Sequence, residues 1–224
     1  MIVLDGVSVR RNETLVLHDL TLELGERRIG VIGANGSGKS TFARLLNGLI
    51  LPTAGRMTVD GLDTKAKTKE VRRRVGFVFQ NPDNQIVYPT VGEDIAFGLK
   101  ARKWSKADIE ARLEIILERY GLTGLEDRLV HELSGGERQM VAFAGIMALE
   151  PDRLVLDEPT TLLDRRNTNR VMRTIAEVSQ KIIFVTHDLE RLSGFDRVLV
   201  FEAGRIAFDG PPAEAIPFYM DLTA

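Results

Sequence analysis

The stretch Gly33-Ala34-Asn35-Gly36-Ser37-Gly38-Lys39-Ser40-Thr41 lies between an apolar run and a segment whose apolar residues recur at helical spacing. Glycines allow backbone conformations that other residues rarely adopt, so successive N–H groups can surround a phosphate, and the helix N-terminus adds its partial positive charge. In this pattern the Lys39 ammonium can reach the β- and γ-phosphates, and the Ser40 hydroxyl can bind Mg²⁺. A glycine-rich turn that merely joins strand to helix is the alternative. The order strand, loop, helix favours nucleotide binding, and we predict that the whole stretch contacts the nucleotide.

Short apolar runs alternate with helical patterns over most of the chain, which favours a parallel sheet covered by helices. Each run is apolar at consecutive positions, as expected for strands whose two faces are both buried. The predicted core strands are residues 28–32, 75–79, 154–156, 182–185 and 198–201. Nearer the N-terminus apolar and polar residues alternate instead, for example over residues 20–24. The predicted fold class is therefore α/β, with a central, mostly parallel sheet and an N-terminal antiparallel β layer.

A helical pattern replaces the strand pattern between residues 80 and 134, in a stretch rich in Lys, Arg and Glu. The apolar residues that recur there at helical spacing are Ile109, Leu113, Ile116, Leu117 and Tyr120. We predict one domain over residues 1–224 with an inserted α-helical subdomain. Its parts are a nucleotide-binding core of residues 1–80 and 150–224 and a helical subdomain of residues 81–149.

The composition excludes several classes of protein. The chain has 224 residues, of which 44% are hydrophobic and 28% are charged, close to the values of folded globular domains. A net charge of −2 provides no overall positive field, so we expect no nucleic acid partner. Cysteine is absent, which excludes disulfides and thiolate metal sites. No apolar run approaches the roughly 18 residues that span a bilayer, and no signal peptide is expected at the N-terminus.

Another predicted strand ends in the two carboxylates Asp157 and Glu158. A carboxylate at a strand end beside the phosphate loop can hold Mg²⁺, so Asp157 is the predicted metal ligand that joins Ser40. Glu158 could accept a proton from the water that attacks the γ-phosphate, or orient that water. Two solvated carboxylates at a strand end are the alternative. Arg153, at the start of this strand, is expected at its exposed end.

Gln80 and His187 each follow a predicted strand, so both are expected at the carboxyl edge, where ligands bind in open α/β sheets. His187 could reach the γ-phosphate, and Gln80 could contact Mg²⁺ or the attacking water. Taken alone, either residue is more often a surface or packing residue. Their assignment to catalysis therefore needs support from elsewhere in the sequence.

A second predicted anion site precedes an apolar helix. The stretch Leu133-Ser134-Gly135-Gly136-Glu137-Arg138-Gln139, called the signature stretch below, supplies a capping serine and two glycines that expose N–H groups. A plain capped helix is the alternative. The stretch resembles the signature motif of ATP-binding-cassette (ABC) ATPases. The other motifs of that family occur in the expected order over nearly the whole chain, namely the phosphate loop, Gln80, the signature stretch, Asp157, Glu158, Asp164 and His187.

The resemblance implies an ATPase that binds ATP and Mg²⁺ and works as a head-to-tail dimer of two copies. Ser134, Gly135 and Gly136 of one copy would then close on the γ-phosphate that Lys39 and Ser40 hold in the other. Hydrolysis at Glu158 would release this clamp, so that ATP drives the motion of a partner.

The sequence departs from the family pattern at two places. ABC ATPases usually have an aromatic residue near Arg11 that stacks on adenine, so a guanidinium must stack there or the stacking is lost. Residues 161–164 read Thr-Leu-Leu-Asp where the family usually has Ser-Ala-Leu-Asp. This change keeps Asp164, which the resemblance assigns to the nucleotide site, but alters the residues through which two copies would communicate.

Residues 80–85 and 90–98 resemble the corresponding segment of energy-coupling-factor (ECF) importer ATPases, which serve the uptake of vitamins, cobalt or nickel. In that family the segment faces the groove that receives the coupling helices of a membrane subunit; a plain surface loop is the alternative. The resemblance implies a transmembrane coupling subunit and a small substrate-binding membrane subunit as partners. It also implies a peripheral position on the cytoplasmic face of the inner membrane. We expect no additional C-terminal domain of the kind that many relatives carry, as in the ATPase of biotin importers, so biotin is the favoured substrate.

Two other functions account for part of the pattern. A soluble ABC ATPase acting on nucleic acid or ribosomes would normally contain two cassettes or a coiled-coil insertion, and neither is found. A P-loop kinase for small molecules gives no reason for the signature stretch or for Glu158 beside Asp157. The transporter ATPase is therefore the leading hypothesis.

Overall fold

The computed structural model describes residues 1–224, and its contacts divide them into two compact units. The first unit comprises residues 1–77, 152–158 and 180–224, and the second comprises residues 78–151 and 159–179. The predicted helical subdomain, residues 81–149, falls within the second unit. Residues 159–179 also group with the second unit rather than with the core, where the prediction placed them.

The first unit contains two β-sheets. The smaller sheet consists of β1 (Ile2–Arg11), β2 (Thr14–Leu24), β4 (Ala54–Val59) and β5 (Leu62–Asp63). The larger sheet consists of β3 (Arg28–Gly33), β6 (Val75–Val78), β7 (Arg153–Asp157), β8 (Lys181–Val185), β9 (Arg197–Glu202) and β10 (Arg205–Gly210). The strand orders are β2-β1-β4-β5 and β10-β9-β3-β8-β7-β6.

The pairing of these strands confirms the predicted fold class. In the smaller sheet β1 is antiparallel to both β2 and β4. In the larger sheet β3 is parallel to β8 and β9, and β7 is parallel to β8, whereas β10 is antiparallel to β9 at the edge. The central strands are buried apart from the half-buried first residues Arg28 and Lys181, which explains why they are apolar at consecutive positions.

Three helices belong to the first unit: α1 (Lys39–Leu46), α2 (Thr68–Arg74) and α7 (Pro212–Leu222). The apolar face of α1 is completely buried through Phe42, Leu45 and Leu46. The Phe42 ring lies 4.9 Å from the ring of Phe201 in β9, measured between centroids. This packing anchors α1 to the sheet and thereby sets the position of its first residue, Lys39.

Arg153 is not exposed, so that prediction was wrong. Its guanidinium donates to both carboxylate oxygens of Asp60, at 2.6 and 2.7 Å, and only 8% of its side chain is accessible. The N-terminal amine and Arg74 also contact Asp60. The hydrogen bonds from Arg153 and the N-terminal amine hold the pKa of Asp60 well below its usual range, although burial opposes them. A bidentate ion pair of this kind allows the charged Arg153 to be buried at the start of β7.

The second unit is helical. Its helices are α3 (Val91–Ala101), α4 (Lys106–Arg119), α5 (Gly135–Ala148) and α6 (Arg165–Glu177). Thr168, Val171 and Ile175 form the buried face of α6, which packs against α5. This packing explains why residues 159–179 group with the helices rather than with the sheet. No helix in the chain is both long enough and apolar enough to cross a membrane.

Candidate nucleotide-binding and hydrolysis site

The phosphate loop occupies the predicted position between β3 and α1. A Cβ atom on Gly33 would lie 2.3 Å from the carbonyl oxygen of Phe201, and one on Gly38 would lie 2.9 Å from Leu17 Cδ2. Gly38 also has a φ of 105°, in the range that side chains disfavour. It has no side chain to cap α1, so the first N–H groups of the helix lie without a side-chain partner at the loop. The loop therefore has the backbone geometry that a phosphate site requires.

Lys39 is held inside the loop. Its ammonium donates to the carbonyl oxygens of Gly33 at 2.7 Å and Ala34 at 2.9 Å, and the residue is 5% exposed. Burial lowers the pKa of Lys39, and the nearby Glu158 and Asp157 charges oppose this shift. The ammonium is thus a desolvated cation that donates its hydrogen bonds to neutral carbonyls. Such a group binds an arriving phosphate strongly, because the phosphate brings the opposite charge.

Ser40 and Asp157 lie together at the end of β7. The Ser40 hydroxyl donates to Asp157 Oδ1 at 3.0 Å, and Asp157 is only 3% exposed. Burial raises the pKa of the Asp157 carboxyl, although the Ser40 hydrogen bond and the charge of Arg44 favour its ionised form. No group of three or more His, Cys, Asp or Glu side chains in the chain could enclose a metal. Two adjacent hard oxygens without a protein cage fit Mg²⁺, which usually takes one or two protein ligands and completes its shell with phosphates and water.

Glu158 and His187 follow the neighbouring parallel strands β7 and β8, so both lie at the carboxyl edge, where they were expected. Glu158 Oε2 is 3.3 Å from His187 Nδ1. The backbone of Glu158 is in the left-handed region, with a φ of 50°, and its N–H donates to the Val185 carbonyl at 3.1 Å. A non-glycine residue in this conformation is strained by on the order of 1 kcal/mol or more, and such residues cluster at functional sites. The left-handed backbone at Glu158 ends the strand geometry directly after Asp157.

The first unit thus brings together Lys39, Ser40, Asp157, Glu158 and His187. Arg11 lies at the exposed end of β1, paired in register with Thr14. Its guanidinium is accessible, but its stacking on adenine stays a prediction.

Gln80 lies in the second unit, in an exposed position just after β6. Two glutamines that sequence reasoning left without a role fix the segment around it. Gln85 accepts from the Phe79 N–H at 3.3 Å and donates to the Ala142 carbonyl at 2.6 Å. Gln139, buried in α5, donates to the Phe79 carbonyl at 3.4 Å. A glutamine on the apolar face of a helix is the signal that could have revealed Gln139.

The signature stretch begins α5 with a capping box. The Ser134 hydroxyl donates to Glu137 Oε2 at 2.6 Å, and the Ser134 backbone N–H donates to the same oxygen at 2.8 Å. The Glu137 N–H donates back to Ser134 Oγ at 3.3 Å. These hydrogen bonds from Ser134 lower the pKa of Glu137. Ser134 is exposed, so the predicted helix-capping role is accompanied by access for a ligand.

Asp164 caps α6 close to the signature stretch. It accepts from the Asn167 N–H at 2.8 Å and from the Asn167 side-chain amide at 3.0 Å. A Cβ atom on Gly136 would lie 2.2 Å from Asn167 Cγ, so glycine is required for this approach of α5 to α6. An open cavity of about 650 Å³ is lined here by ten residues that include Ser134, Glu137, Asp164 and Asn167 together with Arg166, Arg170 and Arg173.

Comparisons with known proteins identify the family to which the chain belongs. Residues 17–161 match the profile of the ABC transporter family. The biotin transport ATP-binding protein BioM of Rhizobium etli is 53% identical over 220 residues, covering 98% of this chain and 98% of BioM. The energy-coupling factor transporter ATP-binding protein EcfA1 of Halalkalibacterium halodurans is 44% identical over 200 residues, covering 87% of this chain and 72% of EcfA1.

A solved structure gives the same result at the level of the fold. CbiO1 from Clostridium perfringens, described as part of the ABC transporter complex cbiONQ, superimposes with a TM-score of 0.85 at 30% identity and covers 99% of this chain and 93% of its own. The chain belongs to the ABC transporter family. It is an ATP-binding ATPase of that family, and its predicted resemblance to the ECF type is confirmed by the relatives above.

Proposed function

We propose that this chain is the ATP-hydrolysing subunit of an ECF-type importer, in which two copies share each ATP and drive the uptake of a vitamin, with biotin favoured over cobalt or nickel. The observation that carries the ATPase part is the cluster at the carboxyl edge of β7 and β8. Within it the hydroxyl of Ser40, in the first turn of α1, donates a hydrogen bond to the Asp157 carboxylate.

In the proposed reaction Lys39 moves from the Gly33 and Ala34 carbonyls to the β- and γ-phosphates of ATP. Glu158 accepts a proton from the attacking water, or orients it, and the His187 imidazole 3.3 Å away holds the Glu158 carboxylate. Attack on the γ-phosphorus then forms the new P–O bond, and ADP leaves with the electrons of the broken bond.

We assign Mg²⁺ to Ser40 and Asp157. Gln80 is a proposed third contact, to the metal or to the water. Bound Mg²⁺ would supply positive charge to the phosphate oxygens during the transfer. The protein's own contribution is to keep Asp157 buried and to hold the Ser40 hydroxyl oxygen 3.0 Å from Asp157 Oδ1.

The second half of each site belongs to the other copy in this proposal. Ser134, Gly135 and Gly136 of one copy close on the γ-phosphate, with Asp164 at the border of the site. The exposed Ser134 and the open cavity beside it support this assignment, because a buried serine could not meet a second chain. The proposed assembly is therefore a head-to-tail homodimer.

The proposed membrane partners are a transmembrane coupling subunit and a small substrate-binding subunit, which place the dimer on the cytoplasmic face of the membrane. An exposed aromatic pair supports a partner at the segment that resembles ECF ATPases. Tyr88 and Phe97 pack with their ring centroids 5.1 Å apart and remain partly accessible, next to Val87, which is 71% exposed. An accessible apolar patch of this kind is typical of a protein interface.

Affinity purification of the tagged chain from native membranes tests the proposal. We expect two hydrophobic subunits to be recovered with it, and uptake of labelled biotin, but not of cobalt or nickel, to be lost with the Glu158→Gln chain. Recovery of ribosomes or nucleic acid instead would contradict the importer assignment. Loss of metal uptake with biotin uptake intact would contradict the substrate.

A further inference from the structure

The hydrogen-bond donors of the signature serine, Ser134, are engaged by Glu137 of its own helix. A serine hydroxyl has one hydrogen to donate. In this structure Ser134 donates that hydrogen to Glu137 Oε2 at 2.6 Å, and its backbone N–H donates to the same oxygen. Both donors that a γ-phosphate could meet at Ser134 are therefore directed at one carboxylate oxygen.

We propose that Glu137 is a positioning residue that occupies the phosphate-binding donors of Ser134, and that the γ-phosphate held by the second copy must displace the Glu137 carboxylate before the dimer closes. This inference rests on the proposed function, because it requires Ser134 to meet ATP across two copies. It adds that the Glu137 carboxylate competes with the γ-phosphate for Ser134, and that this competition sets the ATP concentration at which the dimer closes.

The Glu137 carboxylate is chemically similar to the γ-phosphate that would replace it. Both are anions with oxygens that accept from N–H and O–H donors at a helix N-terminus. The two cannot share the Ser134 hydroxyl hydrogen, and they repel each other at short range. Exchange of one anion for the other leaves the α5 terminus satisfied in both states.

A released Glu137 carboxylate has cations nearby. Arg170 lines the same cavity as Ser134 and Glu137, and its guanidinium donates to the Tyr120 and Gly121 carbonyls at 2.9 and 3.0 Å. The charges of Arg128 and Arg170 also contribute to the low pKa of Glu137, after its hydrogen bonds with Ser134. The carboxylate can therefore leave Ser134 without losing all its favourable interactions.

A second helix in the same unit provides a matched control. Ser105 caps α4, and its hydroxyl donates to Asp108 Oδ2 at 2.6 Å while the Asp108 N–H donates back at 3.2 Å. These are two of the three hydrogen bonds found at Ser134, on a helix end outside the signature stretch; the donation from the backbone N–H to the carboxylate is not repeated at Ser105. The α4 cap also shows that an aspartate at this helix position is long enough to hold the capping serine.

The experiment measures the ATP concentration at which the Glu158→Gln chain dimerises, by light scattering, alone and combined with one further substitution. With Glu137→Gln we expect half-maximal dimerisation at about five- to tenfold less ATP, because a neutral amide accepts a hydrogen bond about half as strongly as a carboxylate. With Glu137→Asp we expect the value of the parent chain. With Asp108→Asn we also expect the parent value. Thermal unfolding of each variant reports any general loss of stability.

The outcomes separate the inference from the proposed function. If the Glu158→Gln parent stays monomeric at saturating ATP, the shared site itself is wrong, and the inference with it. If the parent dimerises but Glu137→Gln needs as much ATP or more, Glu137 is only a helix cap and the inference is overturned. A Glu137→Asp chain that shifts as far as Glu137→Gln would also overturn it, because side-chain length rather than charge would then be the cause. If Glu137→Gln does not fold, the Glu137→Asp chain decides: parent-like closure supports the inference, and facilitated closure contradicts it.

Discussion

The phosphate loop and the signature stretch both present a helix N-terminus to an anion, but they differ in how far each is prepared for it. In the loop, Lys39 is buried and contacts neutral carbonyls, so its charge has no full counterion among its hydrogen-bond partners. At the signature stretch, Ser134 is exposed and already bonded to an anionic side chain, Glu137. In the proposed mechanism the phosphate loop, which lacks an anion, binds ATP first, and the signature stretch binds the γ-phosphate only after the Glu137 carboxylate is displaced. The proposed order is therefore ATP binding followed by closure of the dimer.

The largest expected effect is that of Glu158→Gln, which should stop ATP hydrolysis without preventing ATP binding. Glu158→Gln should lower ATP turnover by about a thousandfold or more, because the water loses its proton acceptor. ATP binding should remain, and dimers should accumulate because the clamp cannot be released. Steady-state phosphate release and light scattering with ATP measure the two effects. Glu202→Gln, at an exposed position on β9, is the control. A Glu158→Gln chain that hydrolyses ATP normally would contradict the assigned role.

The next largest effect is expected from removal of the Lys39 charge in the phosphate loop. Lys39→Ala should weaken ATP binding at least about a hundredfold, since truncation of one partner of a buried charge pair is worth on the order of 2–5 kcal/mol. Calorimetric titration with ATP measures the affinity. Lys181→Ala is the matched control, because Lys181 also donates to a backbone carbonyl, that of Gly25, at the other end of β8. Unchanged ATP affinity in the Lys39→Ala chain would refute the phosphate-loop assignment.

The strand that ends in Asp157 begins with an ion pair between the buried Arg153 and the partly accessible Asp60. Arg153→Ala should lower the free energy of unfolding by about 1–3 kcal/mol, less than for a fully buried pair, because Asp60 is accessible to water and keeps Arg74 and the N-terminal amine. The folded-state pKa of Asp60 is lowered. The ionised Asp60 carboxylate therefore contributes its full stabilisation of the folded chain above the ordinary aspartate pKa of about 4. This contribution is lost progressively as the pH falls below that value.

Urea unfolding at pH 7 and pH 3 measures both effects. The control is Arg56→Ala, whose exposed pair with Asp63 should contribute less than about 1 kcal/mol. A difference between the Arg153→Ala and natural chains that is as large at pH 3 as at pH 7 would contradict the role of the Asp60 charge.

The smallest effect is expected at Gly136 in the signature stretch. Gly136→Ala should destabilise the second unit by about 1–3 kcal/mol, because the new methyl group displaces Asn167 and breaks its bond to Asp164. ATP affinity of the single chain should not change, whereas dimerisation with ATP should weaken. Gly194→Ala, where a Cβ would meet no atom within 4 Å, is the control. Equal dimerisation by the Gly136→Ala chain would show that the approach of α5 to α6 is irrelevant to closure.

The features that the sequence predicted well are local in the chain. The phosphate loop joins a consecutive strand and helix, and Glu158 and His187 each follow their own apolar strand, so pattern alone located them. Arg153 was misplaced because its partner, Asp60, is 93 residues away and no local pattern shows that pairing. The grouping of residues 159–179 with the helices depends on the packing of α6 against α5, which spacing along α6 cannot reveal. Ser134 was recognised as a cap, but the hydrogen bonds from its hydroxyl and its backbone N–H to the Glu137 carboxylate became visible only in the structure.

The claim that each ATP is held by two copies is tested most directly by mixing two inactive chains, Lys39→Ala and Ser134→Ala. Each variant alone should form no complete site. In a head-to-tail mixed dimer, the natural Lys39 of one chain faces the natural Ser134 of the other, so the account predicts that ATP hydrolysis reappears on mixing, with one complete site in each mixed dimer. A mixture that is no more active than the two variants measured separately would contradict the shared site.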